Sequence, residues 1–225
     1  HCMGVSCMVE PQNPFANKEL STEERIVLRA EREANIETER NGGIPTKKCL
    51  ISLRKAYEDA GNDFKAAETL EQQNEIYPNP EDYNLIGVYY HNSGNKDKAI
   101  DFFERALDHN PNNYWPNFNL GNTLFYKDSK RSRQYLNKAY ELNPSEPCIN
   151  ILLGRLDKRE GKEAEAKEKF QIAYERYEQK WRAKSLNKSD YGWFASVAEE
   201  LGKKDKAYEI RSAKSKIEQT TYYDE

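Results

Sequence analysis

This 225-residue chain has seven imidazole or thiol side chains, the types that most often ligate transition metals: His1, His91, His109, Cys2, Cys7, Cys49 and Cys148. A structural zinc site needs four thiolate or imidazole ligands closing a tetrahedron. His1, Cys2 and Cys7 offer three ligands in one terminal stretch with no fourth, so no metal is expected there. Cys49 and Cys148 fall inside helical apolar patterns, where a reduced thiol packs as a small hydrophobe. His91 and His109 have no partner ligand three or four residues away. His109, near the end of an expected helix, suits compensation of the helix dipole, and His91 is placed to line a groove. Asp and Glu are abundant, but no two stand out as a buried pair whose shifted pKa could serve general acid–base work. No glycine-rich phosphate loop follows a strand. The expectation is a protein that is not an enzyme, with no catalytic residue, metal or cofactor.

With chemistry set aside, the bulk numbers describe a thin core under a large solvated surface. Charged residues make up 32% of the chain and the apolar set only 37%, yet 15 Tyr, 8 Phe and 3 Trp are present. Disordered chains are poor in aromatics, so these numbers suit a quasi-one-dimensional array better than disorder. The net charge of −3 carries no field that favours nucleic acid. No apolar run approaches the roughly 20 residues of a membrane-spanning helix. The stretch "MGVSC" is similar to the end of a secretory or lipoprotein signal, without the apolar region that would precede it. A soluble protein is expected, cytoplasmic or exported, with Cys2 or Cys7 as a lipid anchor if a precursor carries a signal peptide.

The elements that must position the remaining residues are helices. Tyr83, Ile86, Gly87 and Tyr90 fall on one face of a first helix, and Gly94–Asn95 interrupts it, because glycine tolerates positive φ. Ala99, Phe103 and Ala106 form a second stripe that Pro111 ends. Gly87 and Ala99 let the two helices approach, Phe103 fills the gap to the next pair, and Ala106 leaves room for the next helix. The unit recurs. Leu120, Gly121, Leu124, Leu136, Ala139 and Pro144 repeat it with a turn one residue short. Leu153, Gly154, Gly161, Ala166, Phe170 and Ala173 repeat it again, as do Leu50, Leu53, Tyr57, Gly61, Ala66, Leu70 and Pro78 upstream.

This order of small, aromatic and proline residues resembles the tetratricopeptide repeat, a 34-residue helix–turn–helix unit. Residues 80–113 fit almost every slot, 47–79 and 147–180 fit well, and 114–146 fit with the short turn. A degenerate fifth unit over 188–218 keeps Phe194, Ala195, Gly202 and Ala207 but lacks the later aromatic and the proline. The resemblance implies an all-α, right-handed α-solenoid. Residues 1–20 are read as a flexible segment. Residues 21–46 are read as a charged helix and linker whose stripe is Ile26, Val27, Ala30, Ala34 and Ile36. That helix opens with a capping-box pattern from Ser21 to Glu24 and covers the end of the first unit. The array runs over 47–218, its last helix is a polar cap, and 219–225 is a tail.

In such arrays the first helices line the concave side, and helical phase points Asn84, Val88 and His91 inward from the second unit. From the third come Trp115, Phe118, Asn122, Phe125 and Tyr126; from the fourth, Ile151, Arg155 and Lys158. Exposed aromatics beside Asn, Arg and Lys suit a protein interface. The expected function is a non-enzymatic adaptor that holds a peptide or helix of another protein in this groove. Some relatives clamp the terminal carboxylate of Hsp70 or Hsp90 with Lys, Asn and Arg. The matching positions here are Ile51, Lys55, Leu85, Trp115 and Asn119. Shifted by one repeat they become Asn84, Val88, Asn119, Cys148 and Leu152. The cationic pairs are missing in both registers, and no such clamp is expected. Two alternatives accompany the adaptor: a structural assembly factor, envelope-anchored through Cys2 or Cys7, and an accessory domain of a longer protein.

Overall fold

A computed structural model describes residues 20–223. Among them the chain forms eleven α-helices, a 3-10 turn and no strand. It divides into two compact units, the first ending at Tyr77 and the second beginning at Pro78. His1, Cys2 and Cys7 lie outside the described residues.

The first unit contains α1 (Thr22–Arg40), α2 (Lys47–Asp59) and α3 (Asp63–Ile76). The capping box forms: Ser21 Oγ accepts the Glu24 N–H at 3.1 Å, and Glu24 Oε2 accepts the Ser21 N–H at 2.7 Å. The buried face of α1 is narrower than the stripe read from sequence. Val27 and Ala30 are half-buried and Ala34 buried, whereas Ile26 and Ile36 are exposed. Residues 27, 30 and 34 share one helical face; position 36 lies opposite it and 26 at its margin. Polar ties supplement this small apolar area. Tyr57 donates to Glu31 at 2.6 Å, and the Thr46 hydroxyl donates to the Glu37 carboxylate. Cys49 is a buried free thiol within reach of the Ala34 carbonyl, 3.8 Å away.

The second unit opens with the 3-10 turn Pro80–Asp82 and continues through α4 (Tyr83–Asn92), α5 (Lys96–His109), α6 (Tyr114–Leu124) and α7 (Ser129–Leu142). It is completed by α8 (Pro147–Arg159), α9 (Glu163–Arg182), α10 (Asp190–Glu200) and α11 (Lys204–Tyr223). Each odd-numbered helix packs back on the one before it. Between α4 and α5 the chain reverses at Gly94, φ +86°, which a side chain would resist. The α6–α7 turn has no glycine. There Asp128 caps α7 by accepting the Arg131 N–H at 3.0 Å, a standard way to satisfy a helix's first donors.

Why these helices can pair closely is visible at Gly87. A Cβ on that residue would sit 2.5 Å from Cε1 of Phe103, and one on Gly154 would sit 2.8 Å from Cε1 of Phe170. The glycine is a notch that admits the ring from the second helix of its own pair. Phe103 therefore packs first within its pair, a refinement of the gap-filling role read from sequence. The carboxylate of Asp157 is buried, 2.8 Å from Arg133 and 2.6 Å from Lys169, tying α7, α8 and α9 together. The end of α9 is marked by its backbone. The helix stops at Arg182, and Lys184 takes a φ of +53°. The loop after it carries Asn187 and Ser189 towards the start of α10.

Candidate functional site

The first helices of the pairs share one side of the second unit. α4 touches α6 and α8 touches α10, while Phe118 of α6 shares a core with Cys148 and Leu152 of α8. Two hollows lie along them. The first, a cleft of about 400 Å³, is lined by Val88 and His91 of α4, Trp115, Phe118 and Asn122 of α6, Glu146 and Cys148 at the start of α8, and Asn187, Asp190 and Trp193. Its wall is a run of aromatic rings. Trp115 meets Tyr114 edge-on at 4.9 Å, Tyr114 stacks on Phe118 at 6.1 Å, and Phe118 meets Trp193 edge-on at 6.5 Å. Such edge and offset geometries are the favoured ones.

The polar groups of the cleft are held in defined states. Thr123 donates its one hydroxyl proton to the Asn119 carbonyl at 2.7 Å and so accepts from His91 Nδ1–H at 2.9 Å. This leaves Nε2 as the acceptor nitrogen of the ring. Burial, helped by nearby Lys96, lowers the His91 pKa, so the imidazole is neutral at pH 7. Asn119 also donates to Asn84 at 3.0 Å, bracing α6 against α4. Burial, with the Glu146 carboxylate beside it, pushes the Cys148 thiol up to about 12. At that pKa it is not the thiolate a nucleophile requires.

The second hollow, about 510 Å³, is lined by Phe125, Tyr126, Arg155, Lys158, Arg159 and Glu200. Arg155 and Lys158 pair with Glu200 at 2.9 and 3.1 Å, joining α8 to α10. The Glu200 pKa is lowered: burial works against its charge, but hydrogen bonds from Lys158 and Arg155 outweigh it. Arg159 donates to the Phe125 carbonyl at 2.6 Å and lies 5.3 Å from the centre of the Phe125 ring.

The residues singled out by phase thus separate. Val88, His91, Trp115, Phe118 and Asn122 meet in the cleft; Phe125, Tyr126, Arg155 and Lys158 meet in the second hollow. Asn84 braces α6. Phe118 and Phe125 are 8% and 5% exposed and form walls, while Trp115 and Tyr126 are 57% and 80% exposed. Ile151 does not face the groove; it is buried against Phe194 and its neighbours. Sequence reasoning missed Glu146, Asp190, Trp193 and Glu200. Trp193 sits directly before Phe194, a residue already assigned to the degenerate unit, and that adjacency was the available signal.

The family model for the tetratricopeptide repeat matches residues 80–113. Residues 80–113 are therefore a tetratricopeptide repeat. Its helical fold matches a crystal structure of MamA with a TM-score of 0.58 at 19% identity, over 73% of this chain and 99% of that one. A second MamA crystal structure matches with a TM-score of 0.53 at 17% identity, over 79% and 94%. A fragment of MamA from Desulfovibrio magneticus RS-1, residue 41 to the end, matches at 0.55 and 16% identity, over 77% and 96%. These likenesses are of fold: the tetratricopeptide-type helical solenoid. Tetratricopeptide repeats are protein-interaction scaffolds and generally non-enzymatic. Among the described residues no helix is long and apolar enough to cross a membrane, and no group of three His, Cys, Asp or Glu is arranged to hold a metal ion.

Proposed function

We propose that this tetratricopeptide-repeat chain is a non-enzymatic adaptor that captures a peptide or helical segment of another protein along the α4–α6–α8–α10 side. The observation that carries the proposal is the pairing of exposed and buried aromatics on α6 and the turn after it. Trp115 and Tyr126 stand 57% and 80% exposed, while Phe118 and Phe125 beside them are packed into fixed walls. A preformed wall lowers the ordering cost of binding, and exposed Trp and Tyr are the residue types that dominate interface energies. Extended and helical segments both dock in grooves of this kind. The inert Cys148 thiol and the neutral His91 imidazole, both in the cleft, fit recognition better than catalysis.

The test is capture of the native partner by the full chain and by its Trp115→Ala/Tyr126→Ala variant. Neither ring is part of the core, so the variant keeps its fold by circular dichroism. Hot-spot losses are about 2 kcal/mol or more, which corresponds to affinity weakened roughly thirtyfold. Unchanged capture by the double variant would mean that another surface does the binding.

A further inference from the structure

We infer that the cleft receives a basic side chain, lysine or arginine, projected from the bound segment, with Glu146 and Asp190 as its anionic partners and the aromatic run as its wall. The inference rests on the adaptor reading above and names the chemistry that reading leaves open.

Charge comes first. The cleft is lined by two carboxylates and by no lysine or arginine. Glu146 occupies the N-cap position of α8, yet its side chain does not cap the helix. The Cys148 thiol lies 4.0 Å from its Oε1, and no ion pair engages it among the described residues. Asp190 is almost wholly buried. Lys180, at 3.3 Å, and the Asn187 N–H, at 3.1 Å, both approach its Oδ2, and Oδ1 has no partner among the described residues. His91 adds a third acceptor, because its Nδ1–H is spent on Thr123. Among the described residues Glu146 has no cationic partner, Asp190 keeps Oδ1 beside its bond to Lys180, and His91 keeps Nε2; each can accept from a donor, and a cation also answers the Glu146 charge.

The walls fit the same guest. A lysine or arginine carries a long apolar stem that packs on apolar surface while its head reaches polar groups. Aromatic rings attract that head through their quadrupole. At about 400 Å³, the cleft lies at the small end of ligand pockets, which span roughly 300–1,000 Å³. That size suits one long side chain. The second hollow has the opposite sign, with Arg155, Lys158 and Arg159 against the single carboxylate of Glu200. Acidic residues of the same segment are therefore directed to that end, and the basic residue to the cleft.

The experiment selects randomised displayed peptides on the immobilised full chain, then measures the enriched peptide by titration calorimetry. The expected enrichment is a lysine or arginine at one fixed position. Replacing it with norleucine, which keeps the stem and removes the charge, weakens binding about tenfold, and Glu146→Gln in the protein does the same, as loss of one partner of a close interfacial charge pair should. Combining the two adds little, because each removes the same pairing. Tyr208→Ala, an exposed ring on α11, leaves binding unchanged. Peptides that lose affinity with Trp115→Ala but carry no fixed basic residue, or ignore Glu146→Gln, overturn the inference and leave the groove reading standing. Peptides indifferent to Trp115→Ala overturn both. A selection that yields no cleft-directed peptide also overturns the inference.

Discussion

Phe194→Ala is expected to destabilise the second unit by about 3–5 kcal/mol, the range for truncating a fully buried phenylalanine. The ring has no solvent exposure. It sits among Tyr174, Tyr177 and Trp181, with ring centres 5.4, 5.7 and 6.0 Å away. These neighbours belong to α9, so the cluster fastens α10 to α9. The adjacent residue, Trp193, forms part of the cleft wall. The truncation should therefore weaken partner binding without touching a binding residue. In an array each pair depends mainly on its neighbours. Hydrogen exchange should accordingly lose protection in α10 and α11 before α4 to α7. A cost below about 1 kcal/mol, or uniform loss across the unit, would show that α10 is held by something else.

Phe103→Ala is the second large effect, also about 3–5 kcal/mol. Phe103 is 1% exposed and fills the notch above Gly87. Phe102, the other phenylalanine of α5, is engaged with Tyr83 and Tyr90 at 6.2 and 5.8 Å. The cavity stays largely open, which is the condition for the upper half of the range. Denaturant unfolding measures it as a lower midpoint with an unchanged slope. Because Phe103 also borders the cleft, the variant should bind the partner less tightly at temperatures where it is still folded. A near-neutral midpoint would mean that α4 and α5 close over the void.

How these units were legible in the sequence, and where legibility ended, follows from the range of the forces involved. Gly87, Gly94, Ala99 and Phe103 are constrained by contacts within one helix pair. Their spacing therefore states their role, and Gly94 adopts the positive φ its position suggested. Helical phase says which side of a helix a residue faces, not what stands opposite. Phe118 was placed on the inner side, and Trp193, seventy-five positions later, covers it. Arg155 and Lys158 read as available cations until Glu200 is brought against both from α10. The degenerate unit was the least readable part of the array, and it supplies Asp190, Trp193 and Glu200. Glu146 holds the N-cap position of α8 without a side-chain cap bond, which only the coordinates of the loop before it reveal. On α1, five apolar residues suggested a stripe, but the helix period lets only Val27, Ala30 and Ala34 share the buried face.

The central claim is that another polypeptide lies against the aromatic side of α6. Photo-crosslinking tests it most directly, with a benzophenone amino acid in place of Trp115 in the full chain and, as control, in place of Tyr208 on α11. The account predicts a covalent adduct with the captured partner from position 115, suppressed by a competing bound peptide, and none from position 208. An adduct from position 208 with none from 115, while capture persists, would contradict it.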